Sequence, residues 1–347
     1  MPRVALLAPF AFPSVRGNAV TASRVARGLA ERGVELRVWD LSVMAEAAVE
    51  RQVEDYRPVL IHAFHAFRVG PLALRLARRA ETPLVVTITG TDGNHDLFDP
   101  ERAPVVRHVL EGAARITAFH ASIVERLSAV LPDLRERIVT VPQSVRLSPR
   151  EPFDLDARWP LPSDRTLFLF PGGIRTVKNP LQPIAPLERL VARHPGVRLL
   201  YAGPILDPDA GEAFARALGG RPWARHVGAV PHAQMASLLF RADVVLNCSI
   251  SEGGMANSVL EALALGRAVL ASDIAGNRSL ITRGVTGLLF RDEAELEEEA
   301  EELVRDPALR DRLGRAGREL VERLYPVARE IDGYLAVYKS LAPVLSA

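Results

Sequence analysis

Ala242-Asp-Val-Val-Leu-Asn-Cys-Ser-Ile-Ser-Glu-Gly-Gly-Met-Ala-Asn-Ser-Val-Leu-Glu-Ala-Leu-Ala-Leu-Gly-Arg-Ala-Val-Leu-Ala-Ser272 is the stretch on which the fold turns. Its two ends, 242–247 and 267–272, are short, apolar and β-branched, as strands buried on both faces of a parallel sheet are. Two parallel neighbours need a crossover, so the residues between them are predicted to be helical. Ser258 with Glu261 three residues later fits a capping box, which places the helix start at Ser258 with unpaired N–H groups facing Gly253 and Gly254. A helix start beside glycines attracts anions, because the backbone comes close and the helix dipole favours negative charge. Glu252 and Glu261 flank this turn as acceptors suited to hydroxyl donors. The same letters also suit a plain capped helix with Glu252 in water, so the residues around the stretch must separate the two readings.

Working outward, strands are predicted at 3–8, 36–39, 59–63, 84–89, 115–119 and 137–141, with helices at 18–32, 71–79 and 121–130. After a proline-rich linker at 147–164, a second alternation follows. Its strands are at 167–170, 198–202, 226–227, 244–247 and 268–271, and its helices at 181–193 and 210–218. Tandem βα alternation predicts two open, doubly wound parallel sheets whose strand C-termini face a shared cleft, the place where such folds bind ligands. The predicted domains are 1–147 and 148–325. The remaining 326–347 forms a terminal helix whose Ile331, Tyr334, Leu335, Tyr338 and Leu341 recur at helical spacing. Acidic 292–302 reads as a solvated helix face.

At 347 residues and 48% hydrophobic content, the chain exceeds what one core usually holds. Lys plus Arg at 43 against Asp plus Glu at 42 gives a net charge of +1 and argues against a dedicated nucleic-acid binder. The single cysteine, Cys248, follows an apolar run and reads as a buried structural thiol in a reducing, cytoplasmic setting. Val4–Phe12 reads as a first strand rather than a signal-peptide core, and no run of about 18 apolar residues is present to span a bilayer. Arg68, Arg75, Arg78 and Arg79 cluster around one helix, and a solvated basic face is the simpler reading than a membrane contact.

Several other residues bear on chemistry. Phe170-Pro-Gly-Gly-Ile-Arg-Thr-Val-Lys178 sets Gly173 and a glycine neighbour beside two cations in a strand-to-helix loop. Arg175 can grip two diphosphate oxygens and Lys178 supplies a point charge. Gly17, in Arg16-Gly17-Asn18, sits between the first strand and its helix, where N–H groups are also unpaired. His62 and His65 after the third strand, and Thr89, Asp92 and His95 after the fourth, gather at strand C-termini as candidates for an acceptor site. The histidines lack the spacing of a zinc site, and Asp207-Pro-Asp209 reads as a proline turn, so no metal and no cofactor are expected. Dinucleotide, P-loop and nucleophile-elbow signatures are absent, which lowers the odds of a dehydrogenase, a P-loop enzyme or an α/β-hydrolase.

Ser251-Glu-Gly through Leu260-Glu-Ala with Gly266, then Ala271-Ser-Asp-Ile-Ala-Gly-Asn277 and Gly284-Val-Thr-Gly-Leu-Leu-Phe290, together resemble the retaining GT-B glycosyltransferases of family 4 across nearly the whole chain. Gly173-Ile-Arg-Thr-Val-Lys-Asn-Pro180 and Asn247-Cys-Ser-Ile-Ser-Glu252 look most like the "glycosyltransferase 1 domain-containing" subgroup. Arg16-Gly-Asn18 and Leu84–Asp92 are also similar to transferases that conjugate sugars to small selenium compounds. The resemblance implies a GT-B fold of two Rossmann-like domains and a nucleotide-sugar donor, a UDP-sugar foremost. It assigns the diphosphate to Arg175 and Lys178, the donor sugar to Glu252 and the ribose to Glu261. Backbone groups of Gly17 and of Gly254, Met255, Ala256, Asn257 and Ser258 complete the phosphate site, and the last helix packs on the first domain. In two places the chain departs from the family pattern. Glu252 and Glu261 are nine positions apart instead of eight, and Thr89 stands where a histidine is usual.

The expected activity is a metal-independent transfer of sugar to a small-molecule or glycan acceptor with retention of configuration. The alternatives are a UDP-sugar epimerase on the same fold, a selenosugar- or thiosugar-forming transferase, and a non-enzymatic receptor for small polar ligands.

Overall fold

The computed structural model describes residues 3–11, 14, 17–147, 151–252 and 254–346. Arg16, Phe12, Gly253 and residues 148–150 of the expected linker lie outside the described residues. The chain forms two compact units, one of Met1–Ser144, Glu252–Met255 and Tyr325–Ala347, the other of Val145–Ser251 and Ala256–Leu324.

In the first unit, strands β1 (Arg3–Ala8), β2 (Glu35–Asp40), β3 (Leu60–Phe64), β4 (Leu84–Thr87), β5 (Arg115–Ala118) and β6 (Ile138–Thr140) form one sheet in the order β2-β1-β3-β4-β5-β6. All its pairings are parallel. Period-two alternation sends Val4 and Leu6 into one apolar cluster, and Ala5 and Leu7 into another on the opposite face. Helices Glu46–Tyr56, Gly70–Arg79 and Ala103–Glu111 cover one face through Val49, Leu72, Leu76 and Val106. Helix Gly17–Glu31 covers the other through Ala22, Val25 and Leu29, beside Ile331, Tyr334, Val337 and Tyr338 of the last helix, Val327–Leu341. Arg24 fixes that last helix: its Nε and a terminal nitrogen donate to the two oxygens of Glu330 at 2.7 and 3.0 Å, with both side chains buried.

The second unit repeats the plan. Strands β7 (Thr166–Pro171), β8 (Val197–Ala202), β9 (Ala224–His226), β10 (Val244–Asn247), β11 (Ala268–Ser272) and β12 (Leu288–Phe290) are ordered β12-β11-β10-β7-β8-β9, all parallel. Chain order runs outward in both directions from the β7/β10 pair, so the sheet has its topological switch point there. Two doubly wound α/β units of this kind are the GT-B architecture.

The structure adds elements that the patterns did not predict. Helix Glu46–Tyr56 buries only Val49 and Val53 amid charges, too narrow a stripe to announce itself. Strand β12 is three residues long and draws its identity from pairing with β11. The expected helix at 181–193 begins only at Ile184, next to Pro183 at its N-cap. The acidic segment at 292–302 is helical from Glu293 to Arg305, but it is not simply solvated. It buries Leu296, Ala300 and Leu303, and its Glu297 accepts from Arg189 and Arg193 at 2.5 and 2.8 Å.

Candidate active site

At the switch point, two strand-to-helix segments of the second unit run side by side. Parallel pairing of Val244 with Phe168 and of Val245 with Leu169 brings the C-terminal ends of β7 and β10 together. Beyond the strands, Ile250 N–H donates to Val177 O at 3.0 Å, so the segment after β10 is bonded to the turn that carries Arg175 and Lys178. That turn is a single 3₁₀ winding, Thr176–Lys178, with Arg175 at its N-cap and Asn179 left-handed at φ 51° behind it. Both cations are half-buried.

The turn is anchored on its other side by β8. Gly172 N–H donates to Ala202 O and Ile174 N–H to Pro204 O, both at 2.9 Å, while Thr176 Oγ1 donates to Asp207 at 2.8 Å. Asp207 also caps helix Pro208–Leu218, which gives the Asp-Pro-Asp run a structural task. A Cβ on Gly203 would sit 2.1 Å from Gly172 O, so only glycine lets these two segments touch. Gly173 also has a packing role. Leu206 occupies the space of its missing side chain, with Cδ1 at 2.4 Å from a Cβ position.

The crossover helix spans Asn257–Ala264 and so begins one residue earlier than predicted. Ala256 stands at the N-cap with no side-chain bond, and Ser258 lies inside the first turn, so the capping box is not formed. Its reciprocal carboxylate has another partner: Glu261, 7% exposed, lies 2.9 Å from His232 Nε2 through Oε1. The half-buried Asn257 and Ser258 hold the first two positions of this helix. Behind the loop, Asn277 Nδ2 donates to Ser272 O at 2.9 Å and Ser272 Oγ to Ser249 O at 2.6 Å, a buried lattice that holds the Asn247–Ser249 backbone. Cys248 is buried within it, and burial pushes its thiol far above the ordinary cysteine range.

Glu252, Gly254 and Met255 pack with the first unit. Asn94 Nδ2 donates to Glu252 O at 3.0 Å, and a Cβ on Gly254 would meet the Phe119 ring at 2.7 Å. Gly17 opens its helix, and the neighbouring Asn18 donates through Nδ2 to Thr89 Oγ1 at 3.2 Å, which joins the segments after β1 and β4.

Of the acceptor candidates, Thr89 is half-buried and His95 exposed, whereas three belong to the interior. His62 is fully buried, with Nδ1 2.6 Å from Tyr338 Oη and Nε2 2.6 Å from Thr87 Oγ1, and burial drives its imidazole down to about 3. It is a core histidine because Tyr338 of the last helix closes over it. Asp92 is also fully buried and accepts N–H bonds from Ala66, Thr89 and Gly90 at 2.8, 3.0 and 2.7 Å, so it clamps the segments after β3 and β4. His65, 2% exposed and held at φ 108°, accepts at Nδ1 from Arg68 N–H, which leaves Nε2 to donate to Thr91 Oγ1 at 2.9 Å. His120 is 7% exposed, with its Nδ1 2.7 Å from Ser122 Oγ.

Sequence reasoning missed His232, because its role exists only through a contact with a helix 29 residues further on. The arginine-rich helix Gly70–Arg79 is largely neutralised: Arg75 bonds Glu46 at 2.7 Å, and Arg79 pairs with Glu54 at 2.7 Å. Among the described residues, no helix is long and apolar enough to cross a membrane, and no three or more His, Cys, Asp or Glu gather as a metal-holding group.

Comparison with known proteins identifies the class. The pattern of the family "Glycosyl transferases group 1" matches residues 153–320, and that of the "Glycosyl transferase 4-like domain" matches residues 37–143. The chain belongs to the group 1 glycosyltransferases and is a sugar transferase by family. It is 27% identical over 333 residues to "Glycosyltransferase 1 domain-containing protein 1" of Xenopus tropicalis, with 94% of each chain covered. Its fold is similar to that of sucrose-phosphate synthase from Thermosynechococcus elongatus, with a TM-score of 0.83 and 19% identity over 99% of this chain and 100% of that one. It is also similar to the Anabaena HepE protein solved in complex with UDP and glucose, with a TM-score of 0.79 and 15% identity over 98% and 100%.

Proposed function

We propose that the chain transfers a sugar from a nucleotide diphosphate donor, foremost a UDP-sugar, to a small-molecule or glycan acceptor, with retention of anomeric configuration and without a metal ion. The observation that carries this reading is the Ile250 N–H bond to Val177 O, which ties the cationic turn at the switch point to the segment leading into the helix start at Asn257. Arg175 and Lys178 supply positive charge to the departing diphosphate, and the first N–H groups of the helix add preorganised donors. Charge supplied in this way takes the place of a divalent cation. Glu261, a carboxylate on a helix otherwise apolar on its buried side, accepts from the ribose hydroxyls. By the family resemblance Glu252 contacts the donor sugar. The acceptor is assigned to the first unit, around Thr89 and His95, the two candidates that keep exposed surface.

Removing one preorganised donor of this kind costs about 3 kcal/mol, or roughly a hundredfold in rate. Lys178→Ala and Arg175→Ala are each expected to lower UDP-sugar turnover by about that factor with unchanged circular dichroism, and turnover is expected to persist in EDTA. Near-parent turnover in both variants refutes the assignment. Conversion of donor to an epimer without an acceptor replaces it with epimerase chemistry.

A further inference from the structure

We propose that His232 is a positioning residue for Glu261 and thereby makes the donor site select ribonucleotides over nucleotides that lack the ribose hydroxyls. The inference rests on the reading that Glu261 receives those hydroxyls, and it adds the group that orients it.

Glu261 is 7% exposed on a helix whose Val259, Leu260, Ala262 and Leu263 are buried on either side of it in sequence. A carboxylate in such surroundings is costly unless hydrogen-bonded. Its one side-chain partner among the described residues is His232, the first residue of helix His232–Arg241, at 2.9 Å from Oε1. An ionised carboxylate only accepts, so His232 Nε2 carries the hydrogen. This contact occupies one oxygen and leaves Oε2 without a protein hydrogen bond among the described residues. Pinned through one oxygen, the carboxyl plane is fixed, and the second oxygen faces a constant direction, as a group that reads a vicinal diol must. Side-chain exposures of 24% for His232 and 10% for Glu261 keep the pair screened from water, which gives a missing hydroxyl its penalty: the buried oxygen is then left unpaired.

Without His232, the Glu261 side chain gains rotamer freedom and loses its fixed aim while keeping its charge. The loss therefore falls on hydroxyl recognition and leaves the diphosphate contacts of Arg175 and Lys178 as they were.

The test uses the full chain and two probes, UDP and 2′,3′-dideoxy-UDP, titrated calorimetrically into parent, His232→Ala, His232→Gln, Glu261→Gln and the His232→Ala/Glu261→Gln double variant. The parent is expected to prefer UDP by at least tenfold. His232→Ala is expected to lose about tenfold in UDP affinity, the scale of one hydrogen bond to a charged group, with dideoxy-UDP affinity unchanged. His232→Gln restores most of the loss, since its amide nitrogen can donate near the same point, and His232→Ala adds nothing in the Glu261→Gln background. Equal weakening of both probes by His232→Ala, or a further loss in the double variant, overturns the role of His232 alone. A UDP preference that is absent in the parent, or unchanged in Glu261→Gln, overturns the ribose reading of Glu261 and the inference with it.

Discussion

Breaking the Arg24–Glu330 pair should loosen the last helix from the first unit by a measurable and asymmetric amount. The carboxylate accepts two bonds from the guanidinium, at 2.7 and 3.0 Å, and a third from Ser144 Oγ, with side-chain exposures of 5% and 0%. The two helices that carry the pair also contribute Ala22, Val25, Ile331 and Tyr334 to one apolar cluster. Glu330→Ala takes the carboxylate away from the buried guanidinium, and removing one partner of a buried pair costs about 3–5 kcal/mol. For a unit of this size, 1 kcal/mol is about 2–4 °C in melting temperature, so a drop of roughly 10 °C is expected. The double replacement Arg24→Met/Glu330→Met removes both charges and should recover at least about 2 kcal/mol of the loss. Urea unfolding of the parent, Glu330→Ala and the double variant, followed by hydrogen exchange in β1 so that the first unit is observed by itself, compares the three stabilities. A Glu330→Ala cost below about 1 kcal/mol, or a double variant no more stable than that single one, would refute the reasoning.

Acid should destabilise the first unit through its buried histidines. Burial lowers His62 to about 3, and burial with Arg126 nearby lowers His120 to about 4. Both lie below the unfolded value of about 6.5, so the unfolded chain takes up these protons first. The stability they contribute is complete above about pH 6.5 and is lost as pH falls toward the folded values, by up to about 1.4 kcal/mol per pH unit for each histidine. Flat unfolding midpoints between pH 6.5 and 4.5 would contradict this. Gly203→Ala forces its new methyl against Gly172 O and so displaces the turn holding Arg175, which should cost about 1–3 kcal/mol and lower UDP affinity. Unchanged melting and UDP titration would show that the contact is not needed. Cys248, buried with its thiol pushed up, should resist a water-soluble disulfide reagent until urea unfolds the second unit, and rapid native labelling would refute that placement.

Much of the molecule could be read from its letters. The runs at 242–247 and 267–272 announce parallel strands, the residues between them a crossover helix, and the alternation around them two doubly wound sheets. Gly172-Gly173 with Arg175 and Lys178 marked one loop, and Glu252 to Glu261 the other. These signals are local: hydrophobic period, glycine and charge at fixed spacing act within a few residues of chain, and so survive in one dimension.

What the letters left open depends on contacts between distant segments. His62 and Thr89 looked alike as polar residues at strand ends, yet Tyr338, 276 residues further on, seals His62 into the core while Thr89 keeps part of its surface. Asp92 reads as a ligand group by position, yet three N–H groups from two loops converge on it. Ser258 and Glu261 carry the letters of a capping box, but the carboxylate bonds His232 instead, since a carboxylate buried among apolar neighbours is costly unless it is hydrogen-bonded. The sequence by itself determined which elements form and where the glycine-rich loops lie. Only the tertiary structure decided which polar groups are buried and what each one bonds to, because burial and pairing are set by packing between elements that the chain keeps far apart.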